Sequence, residues 1–239
     1  VNEQYGPGRY FVGVDENGLG PRLGPLIVTG VLAEVTDGSA AARIEDPSAW
    51  PAGCGDSKRL SSFHDSRLGE AWARIILGER GVPCDTPRKL IARLSLDNEA
   101  FLKAPCPHLH AAQCWGTAEE TFTSGDGAVD SAPLAVATRA WSELERLGIR
   151  VRDVRSVVVC TRRLNDALAI GKSRFDVDLE CMERLVCAFR SLVDEEVNAT
   201  CGKVGGIDRY ASRFETLPTT GLDVLREGRG ESAYRVRGL

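Results

Sequence analysis

Two adjacent acids, Asp15 and Glu16, close the apolar run "YFVGV" and stand just before Gly18, Leu19 and Gly20. A carboxylate at the end of a central strand is costly to bury unless something offsets its charge. A divalent cation does so, and a pair of hard oxygen ligands suits Mg²⁺ or Mn²⁺. The glycines beyond leave room for a phosphate backbone to come close. A buried pair that binds a divalent metal is one reading of these residues. The plainer alternative is an exposed turn with both acids in water.

Other stretches carry weaker signals. "IGKSRF" (170–175) holds the Gly-Lys-Ser of a phosphate loop, but Asp166 stands where the motif needs its first glycine, so the start of a helix is the better reading. "GLGPRLG" has Leu23 at the third glycine of a dinucleotide fingerprint. "CPHLHAAQC" offers Cys106, His108, His110 and Cys114 as zinc ligands, against the reading of a loop with incidental polar residues; one residue between histidines is not a common structural-zinc spacing. Lys58 taken by itself reads as a solvated surface lysine, and Tyr210 is a candidate for the core.

The elements that must position these residues follow from periodicity. Residues 10–15 and 26–34 read as near-continuous apolar strands, hence central ones, joined by a Gly- and Pro-rich turn. A helix is expected over 65–77 with Leu68, Ala71, Trp72, Ile75 and Ile76 on one face, preceded by a Ser or Asp able to cap it. Residues 79–133 read as an irregular insertion with a short helix near 87–94. A helix over 134–147, a strand over 155–160, a strongly periodic helix over 175–193 and a strand over 196–201 follow. "ESAYRVRGL" reads as a last strand. The order describes a mixed α/β layer protein.

The bulk properties bound the class. The chain has 239 residues, 43% hydrophobic composition and a formal net charge of −4. That suits one large domain with an insertion, and argues against nucleic-acid binding by charge alone. No apolar run is long enough to span a bilayer, and the first residues do not read as a signal peptide. Eight cysteines follow no disulfide pattern. Cys160, Cys187 and Cys201 fall in apolar segments and are expected as reduced, buried thiols of a cytoplasmic protein.

"GVDENGLGPRLGPLIV" followed by "GDSKRL" resembles the opening of type 2 ribonuclease H, the ribonuclease HII family. Asp15, Glu16, Gly18, Gly20, Gly24, Pro25, Asp56, Ser57, Lys58 and Leu60 fall on its pattern in family order. "CGKVGGIDRY" (201–210) resembles a later block, where Asp-Lys-X-Gly-Gly ends a strand. The resemblance implies an α/β, ribonuclease H-like mixed sheet flanked by helices, in a single domain over 1–239. It implies a metal-dependent endoribonuclease that uses Mg²⁺ or Mn²⁺ and acts on RNA–DNA hybrids or on ribonucleotides in duplex DNA. Asp15 and Glu16 would be catalytic metal ligands, and Gly18, Leu19, Gly20, Lys58, Lys203 and Tyr210 would contact nucleic acid. A monomer away from membranes is expected.

The chain departs from that pattern at three places. Leu19 replaces the arginine of the glycine turn. Gly202 stands where the family has its strand-end aspartate, and Asp208, six residues on, is the nearest substitute. The family's last carboxylate lies on a later helix, so the C-terminal part of its domain is expected to be missing by Leu239. These departures give the alternative: a ribonuclease H-like module that binds hybrid or junction duplexes without cleaving them. A third class, the ATPases of the sugar-kinase and actin type, needs Thr or Ser soon after the first glycine, where this chain has Leu19, Gly20 and Pro21.

Overall fold

The computed structural model describes residues 9–17, 24–56, 60, 65–79, 81, 86–97, 122, 131–205, 207–218 and 220–237. Its main sheet has four strands: β1 (Tyr10–Asn17), β2 (Leu26–Val35), β3 (Ile149–Val159) and β4 (Val197–Cys201), in the order β3-β2-β1-β4. The end of β2 is tied to the start of β1 by Val35 N–H donating to the Arg9 carbonyl at 2.9 Å. It is tied to the start of β3 by Thr36 N–H donating to the Gly148 carbonyl at 3.0 Å. β4 joins the other edge of β1 in parallel, with Tyr10 opposite Val197 and Val14 opposite Cys201. The fold is thus α/β, a mixed sheet flanked by helices, and this arrangement is consistent with the ribonuclease H-like expectation.

The helices are α1 (Gly38–Glu45), α2 (Arg67–Glu79), α3 (Pro87–Leu94), α4 (Ser131–Arg146), α5 (Thr161–Ala169) and α6 (Arg174–Arg190), with a 3-10 turn at Pro47–Ala49. A separate antiparallel ribbon pairs β5 (Leu222–Arg226) with β6 (Ala233–Val236). By contacts the chain divides into two units. One holds 1–9, 33–94 and 117–152; the other holds 10–32, 95–116 and 153–239.

In the first unit α2 and α4 pack together through Trp72 and Trp141, whose ring centroids are 6.4 Å apart, and Trp72 donates its indole N–H to the Gly53 carbonyl at 2.9 Å. Glu34 is buried and is paired with Arg9 and Arg152. α1 was not expected from periodicity. It begins because Asp37 accepts from the amides of Ser39 and Ala40 at 2.8 and 3.0 Å, a side-chain cap on a run of small residues.

The second unit holds a core that matters for the site. Val12 and Val14 of β1, Leu26, Val28 and Leu32 of β2, and Val157 and Val159 of β3 meet Leu179, Met182, Leu185 and Phe189 of α6. Each such side chain, fully buried, contributes roughly 1.5–3 kcal/mol. The strands do not behave as slabs buried on both faces. β2 alternates buried and half-buried residues, and Gly13 and Asp15 of β1 are exposed. The apolar runs are near-continuous, but α6 covers the face that carries Val12 and Val14. Gly30 lets α6 approach: a Cβ there would lie 2.6 Å from the Phe189 ring.

α6 starts where "GKSRF" was read as the beginning of a helix. Ser173 accepts from the Asp176 amide at 3.2 Å, and Asp176 accepts from the Ser173 amide at 2.8 Å, a reciprocal capping box. α5 escaped the sequence reading because it has one buried residue, Leu164, and its N-cap, Cys160, makes no side-chain cap. The ribbon strand β5 escaped it as well, whereas the strand in "ESAYRVRGL" is present as β6. Of the expected insertion (79–133), the described residues include α3, the segment 95–97 and the first residues of α4, which begins at Ser131 inside it. Ser95 bridges Ser156 of β3 in parallel, and Leu96 donates its N–H to the Ser156 carbonyl at 2.8 Å. Among the described cysteines, which are all free, Cys160 is buried, Cys187 half-buried and Cys201 exposed, the last against expectation because β4 leaves it at the sheet margin.

Candidate metal and nucleic-acid site

Asp15 and Glu16 occupy the C-terminal end of β1, beside the end of its parallel neighbour β4. They are not buried: Asp15 is exposed and Glu16 half-buried. The physical reason is the pleat. The buried face of β1 carries Val12 and Val14, so Asp15 projects from the other face. The Glu16 amide donates to Asp15 Oδ1 at 3.0 Å, which orients that carboxylate.

Gly202 follows β4 directly, and its N–H donates to the Val14 carbonyl at 2.8 Å, so the pairing of β4 with β1 extends one residue past Cys201. A Cβ added at Gly202 would lie 2.5 Å from Asp15 Oδ1 and 3.4 Å from Glu16 Oε2. The space next to the acidic pair is thus the space a side chain at position 202 would enter. Here the Asp15 carboxylate leans into it.

The buried acid of this region is one that sequence reasoning missed. Asp178, in the first turns of α6, is 0% exposed, and neither carboxylate oxygen has a hydrogen-bond partner. Burial first, and then the charges of Glu16 and Asp15, push its carboxyl up to about 7. Asp178 therefore lies within electrostatic reach of the pair on β1. A signal was present in the sequence: Asp178, Met182, Leu185 and Phe189 follow at +4, +7 and +11, so an acid holds a core position on an apolar helix face.

The remaining candidates are spoken for in other ways. Lys203 donates to Asp208 Oδ1 at 2.8 Å and also to the Arg229 carbonyl. The Lys203 ammonium holds the Asp208 carboxyl below the usual carboxylate range. Asp208 thus turns its charge to a lysine, and the charges that reach Asp178 are those of Glu16 and Asp15. Tyr210 packs partly buried against the core, donates its hydroxyl to the Val204 carbonyl at 3.4 Å, and meets the Tyr234 ring edge-on at 6.5 Å. Gly18, Leu19, Gly20 and Lys58 lie outside the described residues, as do Cys106, His108, His110 and Cys114.

The donor types fit a hard divalent cation: three carboxylates, one of them buried with both oxygens unsatisfied. They do not form a closed cage. Among the described residues no three His, Cys, Asp or Glu side chains converge closely enough to hold one ion. That is the ordinary situation for Mg²⁺, which is usually held by one or two carboxylates and keeps waters or substrate phosphates as its other ligands. No helix among the described residues is long and apolar enough to cross a membrane. The chain matches no protein-family model, no curated protein and no solved structure.

Proposed function

We propose that this protein is a metal-dependent phosphodiester hydrolase of the ribonuclease H type, acting on RNA–DNA hybrids or on ribonucleotides within duplex DNA. The observation that carries the reading is the acidic pair at the carboxyl ends of two adjacent parallel strands, the place where open α/β sheets bind ligands. Asp15 and Glu16 are the residues that would hold Mg²⁺ or Mn²⁺, and a cation held there would supply an activated water and charge neutralisation at the phosphate. The chain's own residues set the geometry. The Glu16 amide fixes the Asp15 carboxylate. Gly202, lacking a side chain, gives the Asp15 carboxylate the space it occupies.

A second reading is favoured by the same glycine. With no carboxylate at 202, the site has one fewer negative ligand than the family pattern, and binding of the duplex without cleavage is the outcome if the cation is held too loosely to position its water. One assay separates the two. The 239-residue chain is given a DNA duplex carrying one ribonucleotide, with Mg²⁺ and with Mn²⁺, beside Asp15→Asn. Metal-dependent nicking at the ribonucleotide, reduced at least about 100-fold in the variant, is expected. Binding without nicking selects the second reading; neither binding nor nicking rejects both.

A further inference from the structure

We infer that Asp178, reaching the site from α6, provides the negative charge that β4 does not provide at Gly202. The inference rests on the metal-site reading above and adds a residue to it.

Asp178 is fully buried with two unpartnered oxygens, and it stands on the face of α6 that also carries Met182, Leu185 and Phe189 into the core. A leucine there would bury apolar area at no electrostatic cost. A carboxylate there is costly unless a cation or hydrogen bonds compensate it or a proton neutralises it. The hydrogen bonds are missing. The same helix shows what compensation looks like: Glu183, also buried, accepts from the amides of Glu215, Thr216 and Leu217. Asp178 receives none, and the charges nearest in effect are those of Glu16 and Asp15. Two further anions beside a buried third make the compensation problem worse in the absence of a cation and solve it in the presence of one.

Position 202 explains why the charge is wanted. A Cβ at 202 would lie 2.5 Å from Asp15 Oδ1, too close unless Asp15 moves, so the β4 end supplies no carboxylate beside the pair and the residue there is glycine. Asp178 restores the anionic count from the neighbouring helix. Because the three carboxylates do not close on one ion, its action is that of charge on the cation and its waters. It is a positioning residue.

The test is Mn²⁺ binding by the full chain, followed by electron paramagnetic resonance, together with thermal melting in chelator. Three proteins are compared: the wild type, Asp15→Asn and Asp178→Asn. The expected result is a loss of Mn²⁺ affinity of at least about tenfold in Asp178→Asn, with melting in chelator unchanged or raised. If Asp178→Asn binds Mn²⁺ within about twofold of wild type while Asp15→Asn loses it, the inference fails and the metal site stands. If Asp178→Asn melts well below wild type in chelator, or is not folded, Asp178 is structural and the inference fails. A wild type that binds no Mn²⁺ rejects the metal site itself, and with it this inference.

Discussion

Asp178 and Glu183 are two buried acids on one helix, five residues apart, and they are solved differently. Glu183 gathers three backbone amides at 2.7–3.0 Å from the segment 215–217, so its charge is met by donors fixed in the fold. Asp178 has no donor at all and two acids for electrostatic neighbours. A buried acid with partners holds a loop in place. On the inference above, a buried acid without partners is compensated by the cation that arrives. Two buried acids on one helix would then serve architecture at one turn and the proposed site at another.

The largest effect that sharpens this contrast is the pH dependence of the cation-free protein. The Asp178 carboxyl is raised from 3.8 to about 7 in the folded state, chiefly by burial. Between those values the folded chain keeps a proton that the unfolded chain has lost. Stability from this group is therefore fully present below about pH 4 and is lost as pH rises through about 7, on the order of 4 kcal/mol in all. Urea unfolding in chelator at pH 5 and pH 8 measures it. Asp178→Asn should flatten the slope, and a slope unchanged in that variant would break the contrast.

Next comes Glu183→Ala. It strips the acceptor from three amides and should cost about 3 kcal/mol or more, with faster amide exchange at 215–217. A loss below about 1 kcal/mol would mean that the loop is held by other contacts. Gly30→Ala drives a Cβ into the Phe189 ring and should destabilise by about 1–3 kcal/mol, read in the same unfolding experiment. Because it lifts α6 from β2, it should also weaken Mn²⁺ binding if Asp178 must be held close. Smallest is Ser173→Ala, which removes the capping box at the start of α6 for about 1 kcal/mol. It frays the turn before Asp178 and should leave the Glu183 latch intact by amide exchange.

Much of the fold was legible before any coordinates. The helix containing "LECMERLVCAF" announces itself because six apolar residues recur at helical spacing. The strands of "YFVGV" and "LIVTGVLAEV" announce themselves by continuous apolar runs. α1 and α5 were not legible. One depends on an aspartate cap and buries only Ala40 and Ala41, and the other buries a single leucine, so neither carries a wide apolar face. The candidate site divides in the same way. Asp15 and Glu16 stand out as charges ending an apolar strand. Asp178 did not stand out, because this helix is read from its apolar residues and an acid among them carries no periodic signal of its own.

The sequence by itself determined the α/β alternation, the position of the acidic pair at a strand end, and the glycine at 202, because each is a local pattern or a residue type. Tertiary structure alone decided which acid is buried. Strand pleat turns Asp15 toward solvent, and the close packing of α6 on β2 at Gly30 turns the Asp178 face inward. It also decided that Glu183 finds its amides in a segment about 30 residues away, while Asp178, one turn earlier, faces the charges of β1. Burial and partnering depend on which surfaces meet, and the residues that meet here are far apart in the chain.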